Sequence, residues 1–220
     1  TSLTRDKRIY KMKLLARPLP NIGTIEAMLS DDIIKDIWKL IEEAKQNPVD
    51  MRKELAGNIN SSLSLNLKSP ITINFIKEVL SKFVESHINT YGEPYRIQIT
   101  EKQSFNMNKF WVNFQRQTEF NPAHSHDGIY SFVIWMKIPT SWEEQSKLPI
   151  AAESNLKHVI SNFVFTYTDI LGNMRTFNHI MNKEREGMMV LFPATLNHQV
   201  YPFYDCDEER ISISGNVVIQ

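Results

Sequence analysis

A single cysteine, Cys206, among 220 residues excludes an intrachain disulfide framework. It stands in FYDCDEER, where neighbouring carboxylates work against the thiolate that a nucleophile needs. No apolar run is long enough to cross a bilayer. The opening TSLTRDK lacks the apolar core of a signal peptide. Neither sign of charge is in excess, since 25 Lys and Arg meet 25 Asp and Glu. That balance supplies no broad basic field for nucleic acid or for an anionic membrane. The basic run RDKRIYKMK at Arg5–Lys13 reads as a surface arm. Internal repeats and low-complexity tracts are also missing. These absences together predict a cytoplasmic protein with one domain over residues 1–220 and neither a nucleic-acid nor a membrane partner.

What is present divides by pattern near residue 100. Residues 1–100 form a helical preface with edge strands, and residues 101–220 form a strand-rich core. Ser30-Asp31-Asp32 is a helix-start signal, and Ile33, Ile34, Ile37, Trp38, Leu40 and Ile41 follow at helical spacing until Pro48. A second helix is predicted from about Thr72 to Asn89, with Phe75, Ile76, Val79, Leu80, Phe83 and Val84 on one stripe and Gly92 and Pro94 beyond its end. Between them Met51–Ser69 is polar and carries little pattern, and reads as a mobile loop able to cover a site. Strands are predicted at Phe110–Arg116, Ser131–Ile138, Asn162–Thr168, Met174–His179, Met188–Phe192 and Arg210–Val218. Helices followed by many short strands imply a mainly β (α+β) fold, a jelly roll with the N-terminal helices packed on one sheet.

Two histidines stand two apart in NPAHSHDG. On a strand that spacing puts His124 and His126 on one face, from which they can converge on one ion, the alternative being a pair of exposed turn histidines. Imidazole suits iron, zinc, copper and nickel alike. A third histidine, His198, follows the strand that ends at Phe192-Pro193. Arg210 opens the last strand, and alternation places Arg210, Ser212, Ser214 and Asn216 on one face, with Ile211, Ile213, Gly215 and Val217 on the other. An Arg with a Ser two residues on can grip a carboxylate through a forked guanidinium and a hydroxyl. The bland alternative is an Arg210 paired with Glu208 or Glu209 at the surface.

NPAHSHDGIYSFVIWMKIP, followed by GMMVLFPATLNHQVYPFYDCDEERISISGNVVI, resembles the 2-oxoglutarate/Fe(II)-dependent oxygenase superfamily, in particular a small bacterial and phage branch that is prolyl 4-hydroxylase-like. The likeness covers roughly Phe110–Ile219. It implies a double-stranded β-helix, a form of jelly roll. It also implies Fe(II) as cofactor, 2-oxoglutarate as cosubstrate and dioxygen as co-reactant. The activity implied is oxidative decarboxylation of 2-oxoglutarate coupled to hydroxylation of an organic substrate or a peptide or protein side chain. By the same resemblance His124 and His198 match the first and distal metal ligands. Arg210 and Ser212 match residues that bind the far carboxylate of the cosubstrate, and Asn113 matches a further polar contact to it.

One position departs from the superfamily pattern. His126 stands where His-x-Asp/Glu would have its carboxylate. Three arrangements follow: three imidazoles from His124, His126 and His198; Asp127 turned inward through a bulge as alternative third ligand; or a shifted register with His126 first and a position left open at Gly128. Three imidazoles would also suit zinc or a cupin-type metalloenzyme that does not use 2-oxoglutarate. A jelly-roll binding protein without catalysis is a further alternative. Trp111, Trp135, Phe192 and Pro193 read as packing or strand-end residues, and Tyr130 and Ser131 as candidate substrate contacts. His87, His158 and His179 read as non-ligands.

Overall fold

Odd and even residues of the FWVNFQ segment part to opposite faces of one strand. Phe110, Val112 and Phe114 are buried among helical side chains, whereas Trp111, Asn113 and Gln115 line a cavity. The computed structural model of the protein describes residue 15 and residues 21–94 and 104–219. The basic run at Arg5–Lys13 lies outside the described residues.

The strands are β1 (Ile25–Met28), β2 (Ser61–Ser64), β3 (Phe105–Gln115), β4 (Asn121–His124), β5 (Tyr130–Lys137), β6 (Phe163–Thr168), β7 (Met174–His179), β8 (Met188–Pro193), β9 (Asn197–Val200) and β10 (Arg210–Ile219). They form a six-stranded sheet in the order β1-β8-β5-β10-β3-β2 and a four-stranded sheet in the order β4-β9-β6-β7. Every neighbouring pair is antiparallel. This is the expected mainly β fold, a double-stranded β-helix with helices on one sheet. Side chains such as Val133, Trp135, Phe163, Phe165 and Phe192 fill the space between the sheets.

The helices cover the other face of the large sheet. Helix α1 (Asp31–Gln46) begins after Ser30 and buries Ile37, Leu40, Ile41 and Ala44. Helices α2 (Pro70–Phe75) and α3 (Ser81–Tyr91) run on through a π-helical turn at Ile76–Leu80. Their stripe of Phe75, Val79, Leu80, Phe83 and Val84 meets Phe110, Val112, Phe114, Ile211 and Ile213 of β3 and β10. Each such fully buried side chain contributes roughly 1.5–3 kcal/mol of transfer free energy. The alternation predicted for β10 therefore holds around Arg210: Ile211 and Ile213 face the helices, and Arg210, Ser212 and Ser214 face the cavity.

Four strands escape sequence patterning: IEAM, SSLS, NPAH and NHQV. Each has four residues, too few to show a period. The stretch Met51–Ser69, expected as a patternless loop, holds a 3-10 turn at Arg52–Glu54 and the edge strand β2. Backbone pairing with β3 and a 2.7 Å hydrogen bond from Ser62 Oγ to Asn113 Oδ1 order it in place of apolar alternation. Leu55, Ala56, Gly57 and Ile59 of the same stretch do wall the cavity. Tyr130 is fully buried beside His87 on the helix side, and Ser131 donates to Asn216 Oδ1 at 3.0 Å. Neither residue lines the cavity.

Candidate metal centre and anion pocket

His124 and His198 are direct partners across β4 and β9. Opposed residues on antiparallel strands bring their side chains together, and these two rings lie 4.3 Å apart between centroids. Each ring is aimed by its own backbone. The Nδ1–H of His124 donates to Pro122 O at 2.7 Å, and that of His198 to Leu196 O at 2.9 Å. Nδ1 is thereby taken, and Nε2 keeps its lone pair for an ion.

His126 joins them by a different route from the one alternation suggests. Strand β4 ends at His124. The chain then turns, and the backbone N–H of His126 bonds Ala194 O at 2.8 Å, in the turn that leads into β9. Trp111 packs edge-on against the His126 ring. The three ligand nitrogens lie within 4.8 Å of one another. Asp127 is exposed and outside this group.

Burial keeps these imidazoles neutral. It lowers the pKa of His124, pulls that of His126 down to about 4 and that of His198 to about 3, with neighbouring imidazoles adding in the last two cases. Neutral imidazole is the form that ligates metal.

Arg210 lies in the same cavity and is 2% exposed. Its Nη2 donates to Ser161 Oγ at 2.6 Å, and the guanidinium stacks over Phe203 at 4.9 Å. Nε and Nη1 are buried with no hydrogen-bond partner among the described residues. The acids beside it in sequence are used elsewhere: Glu208 pairs with Lys137 at 2.7 Å and Glu209 with Arg116 at 3.2 Å. Burial pulls the Arg210 pKa down to about 9, which leaves it charged at neutral pH. A buried cation without a counter-ion is costly, and two donors without partners among the described residues are the groups that suit an anion. Ser212, Ser214 and Asn113 line the cavity with it.

Ser161 is the site residue that sequence reasoning missed. It lies 49 positions from Arg210, in a positive-φ conformation (64°) that nothing in its local sequence announces. The other three histidines stay outside the ligand group. His87 is satisfied by Gly23 O and the Tyr130 hydroxyl, and His179 is buried among aromatic rings.

Residues 109–216 match the family described as "Putative 2OG-Fe(II) oxygenase". No curated protein is recognisably similar in sequence. Solved structures share the fold at low identity. A prolyl-4-hydroxylase from Pseudomonas putida is 13% identical with a TM-score of 0.51, over 88% of this chain and 90% of that one. A Trichoplax adhaerens prolyl hydroxylase, solved with a hypoxia inducible factor peptide fragment, is 10% identical with a TM-score of 0.53, over 90% and 83%. The non-heme alpha ketoglutarate dependent epimerase SnoN of nogalamycin biosynthesis is 10% identical with a TM-score of 0.54, over 89% and 78%. The matched residues, just under half of the chain, carry all three histidines, Arg210, Ser161 and Ser212, and over them the chain matches the 2OG-Fe(II) oxygenase family.

Proposed function

We propose that this protein is a 2-oxoglutarate-dependent dioxygenase that hydroxylates an organic substrate, a peptide or protein side chain being the favoured class. His124, His126 and His198 hold Fe(II), and Arg210 with Ser212 receives the far carboxylate of 2-oxoglutarate. Asn113 adds a polar contact beside them. The observation that carries this reading is the pair of unpartnered buried donors on Arg210, in one cavity with three convergent imidazoles. The residues fit both groups: neutral nitrogen donors suit Fe(II), and a forked cation suits a carboxylate.

When bound, iron and 2-oxoglutarate supply the oxidising power for the reaction with dioxygen. The protein's own residues do the positioning. Backbone carbonyls hold two of the imidazoles in one tautomer. Arg210 fixes the orientation of the cosubstrate, itself held by Ser161 and Phe203. Trp111, Trp135, Phe163 and Phe192 give the cavity apolar walls that exclude water. The peptide class rests on likeness to the two prolyl hydroxylases.

The three-histidine set also supports a second reading, a cupin-type metalloenzyme that works without 2-oxoglutarate. Arg210 separates the two, because only the first has a use for it. Anaerobic titration with Fe(II) and 2-oxoglutarate should produce the visible charge-transfer band of the chelated cosubstrate. Arg210→Ala should weaken that titration. Absence of the band in the wild-type protein would sink the first reading.

A further inference from the structure

Charge in the cavity does not balance, and the imbalance points to a further ligand. The inference rests on the metal and cosubstrate assignment proposed above. Ligation uses the lone pair of a neutral imidazole, so His124, His126 and His198 add no charge to a divalent ion. Arg210 adds one positive charge, and 2-oxoglutarate brings two negative ones. The sum is one uncompensated positive charge in a buried space. A carboxylate at the His126 position would have cancelled it.

Nothing else in the surroundings does so. No Asp or Glu is among the described residues that line the cavity. Asp127 is exposed, and its field at His126 is opposed by that of Lys109. Glu119 is the one buried acid among the described residues, and it does not line the cavity. Its oxygens accept from the amides of Asn60 and Arg116 at 3.1 and 2.9 Å. Glu208 and Glu209 are tied to surface cations. An unbalanced charge in a low-dielectric cavity is costly unless an ion of opposite sign joins it.

We propose that this centre binds one monoanion in addition to the cosubstrate. The anion is either a free ion or an acidic group carried by the substrate. His126 is the residue that creates the demand.

The test uses the full chain loaded with Co(II) and 2-oxoglutarate under argon, at constant ionic strength. Sodium azide, sodium chloride, N-acetylglycine and the neutral N-acetylglycinamide are titrated separately, and the cobalt spectrum is read. A saturable change with azide and chloride assigns the charge to a free ion. A change with N-acetylglycine alone assigns it to a substrate carboxylate. In His126→Asp the affinity for the same anion should fall at least about tenfold, as expected for one added negative charge at close range. No saturable change with any anion, or an equal change with the neutral amide, overturns the proposal. Unchanged affinity in His126→Asp overturns it as well. If His126→Asp fails to hold metal, His126→Glu gives the same comparison, and the wild-type titration decides by itself. Failure of 2-oxoglutarate to perturb the cobalt spectrum at all would instead count against the underlying function.

Discussion

Arg210 Nη2 is bonded to Ser161 Oγ at 2.6 Å, and this is its one hydrogen bond among the described residues. The bond holds one arm of the fork and leaves Nε and Nη1 without a hydrogen-bond partner among the described residues. If the fork receives an anion as proposed, its unmet charge trades stability of the empty protein for affinity.

That trade predicts opposite effects of one substitution. Arg210→Met removes an unpaired buried charge, so the empty protein should melt no lower than wild type, because the desolvation cost is lost. The same change should raise the Kd for 2-oxoglutarate on the order of 100-fold, since truncating one partner of a buried charge pair costs about 2–5 kcal/mol. Thermal melts with and without the cosubstrate check both halves. A marked loss of stability in the empty variant would contradict the first.

Substitution separates the candidate third ligands. His126→Ala should lower Fe(II) affinity on the order of 10-fold or more, as should His124→Ala and His198→Ala. Asp127→Asn should leave it within about twofold, because that carboxylate is exposed and outside the histidine group. Metal content after dialysis, measured beside circular dichroism, decides between the two residues.

Acid should destabilise the metal-free protein earlier than carboxylate titration alone would. His126 and His179 have pKa values near 4 and His198 near 3, all lowered by burial from the ordinary 6.5. Between these values and 6.5 the unfolded chain binds more protons than the folded one. Stability is therefore fully present above about pH 6.5 and is lost as pH falls towards 4. Each such histidine contributes a slope of up to about 1.4 kcal/mol per pH unit. His179 has both ring nitrogens buried without a hydrogen-bond partner among the described residues, with Glu26 Oε1 3.6 Å from Nε2. His179→Leu should consequently flatten the curve by one proton and stabilise the protein at pH 5, as read by urea melts across pH.

Gly215 packs against the helix-side core with no room for a side chain. A Cβ there would lie 2.6 Å from the Phe132 ring and 2.9 Å from Met107 Sδ. Its backbone is not in a glycine-only conformation, so space alone is limiting. Gly215→Ala should cost about 1–3 kcal/mol through displacement of that ring. Chemical denaturation measures the loss, and a neutral result would show that the ring can shift freely.

Much of this architecture is legible in local pattern. The stripes of α1 and of Pro70–Tyr91, and the alternation of β3 and β10, follow from side-chain periods of 3.6 and 2. The four-residue strands carry no readable period, and β2 is held by backbone pairing and Ser62 rather than by apolar side chains. Tyr130 and Ser131 follow the metal segment closely in sequence, yet both are buried away from the cavity, because β5 turns them into the helix-side and sheet packing.

For the site, residue order alone determined the candidates: HSH, a distant histidine, and an Arg opening a strand whose odd residues face the helices. Only the tertiary structure decided how they work together. It seats His126 by a backbone bond to Ala194 rather than by strand alternation. It spends Glu208 and Glu209 on Lys137 and Arg116 rather than on Arg210, and it brings Ser161 from 49 residues away to hold the guanidinium. The physical reason is range. Periodicity is written by neighbours a few residues apart, whereas charge balance and hydrogen-bond satisfaction depend on groups that meet only when both sheets close around one cavity.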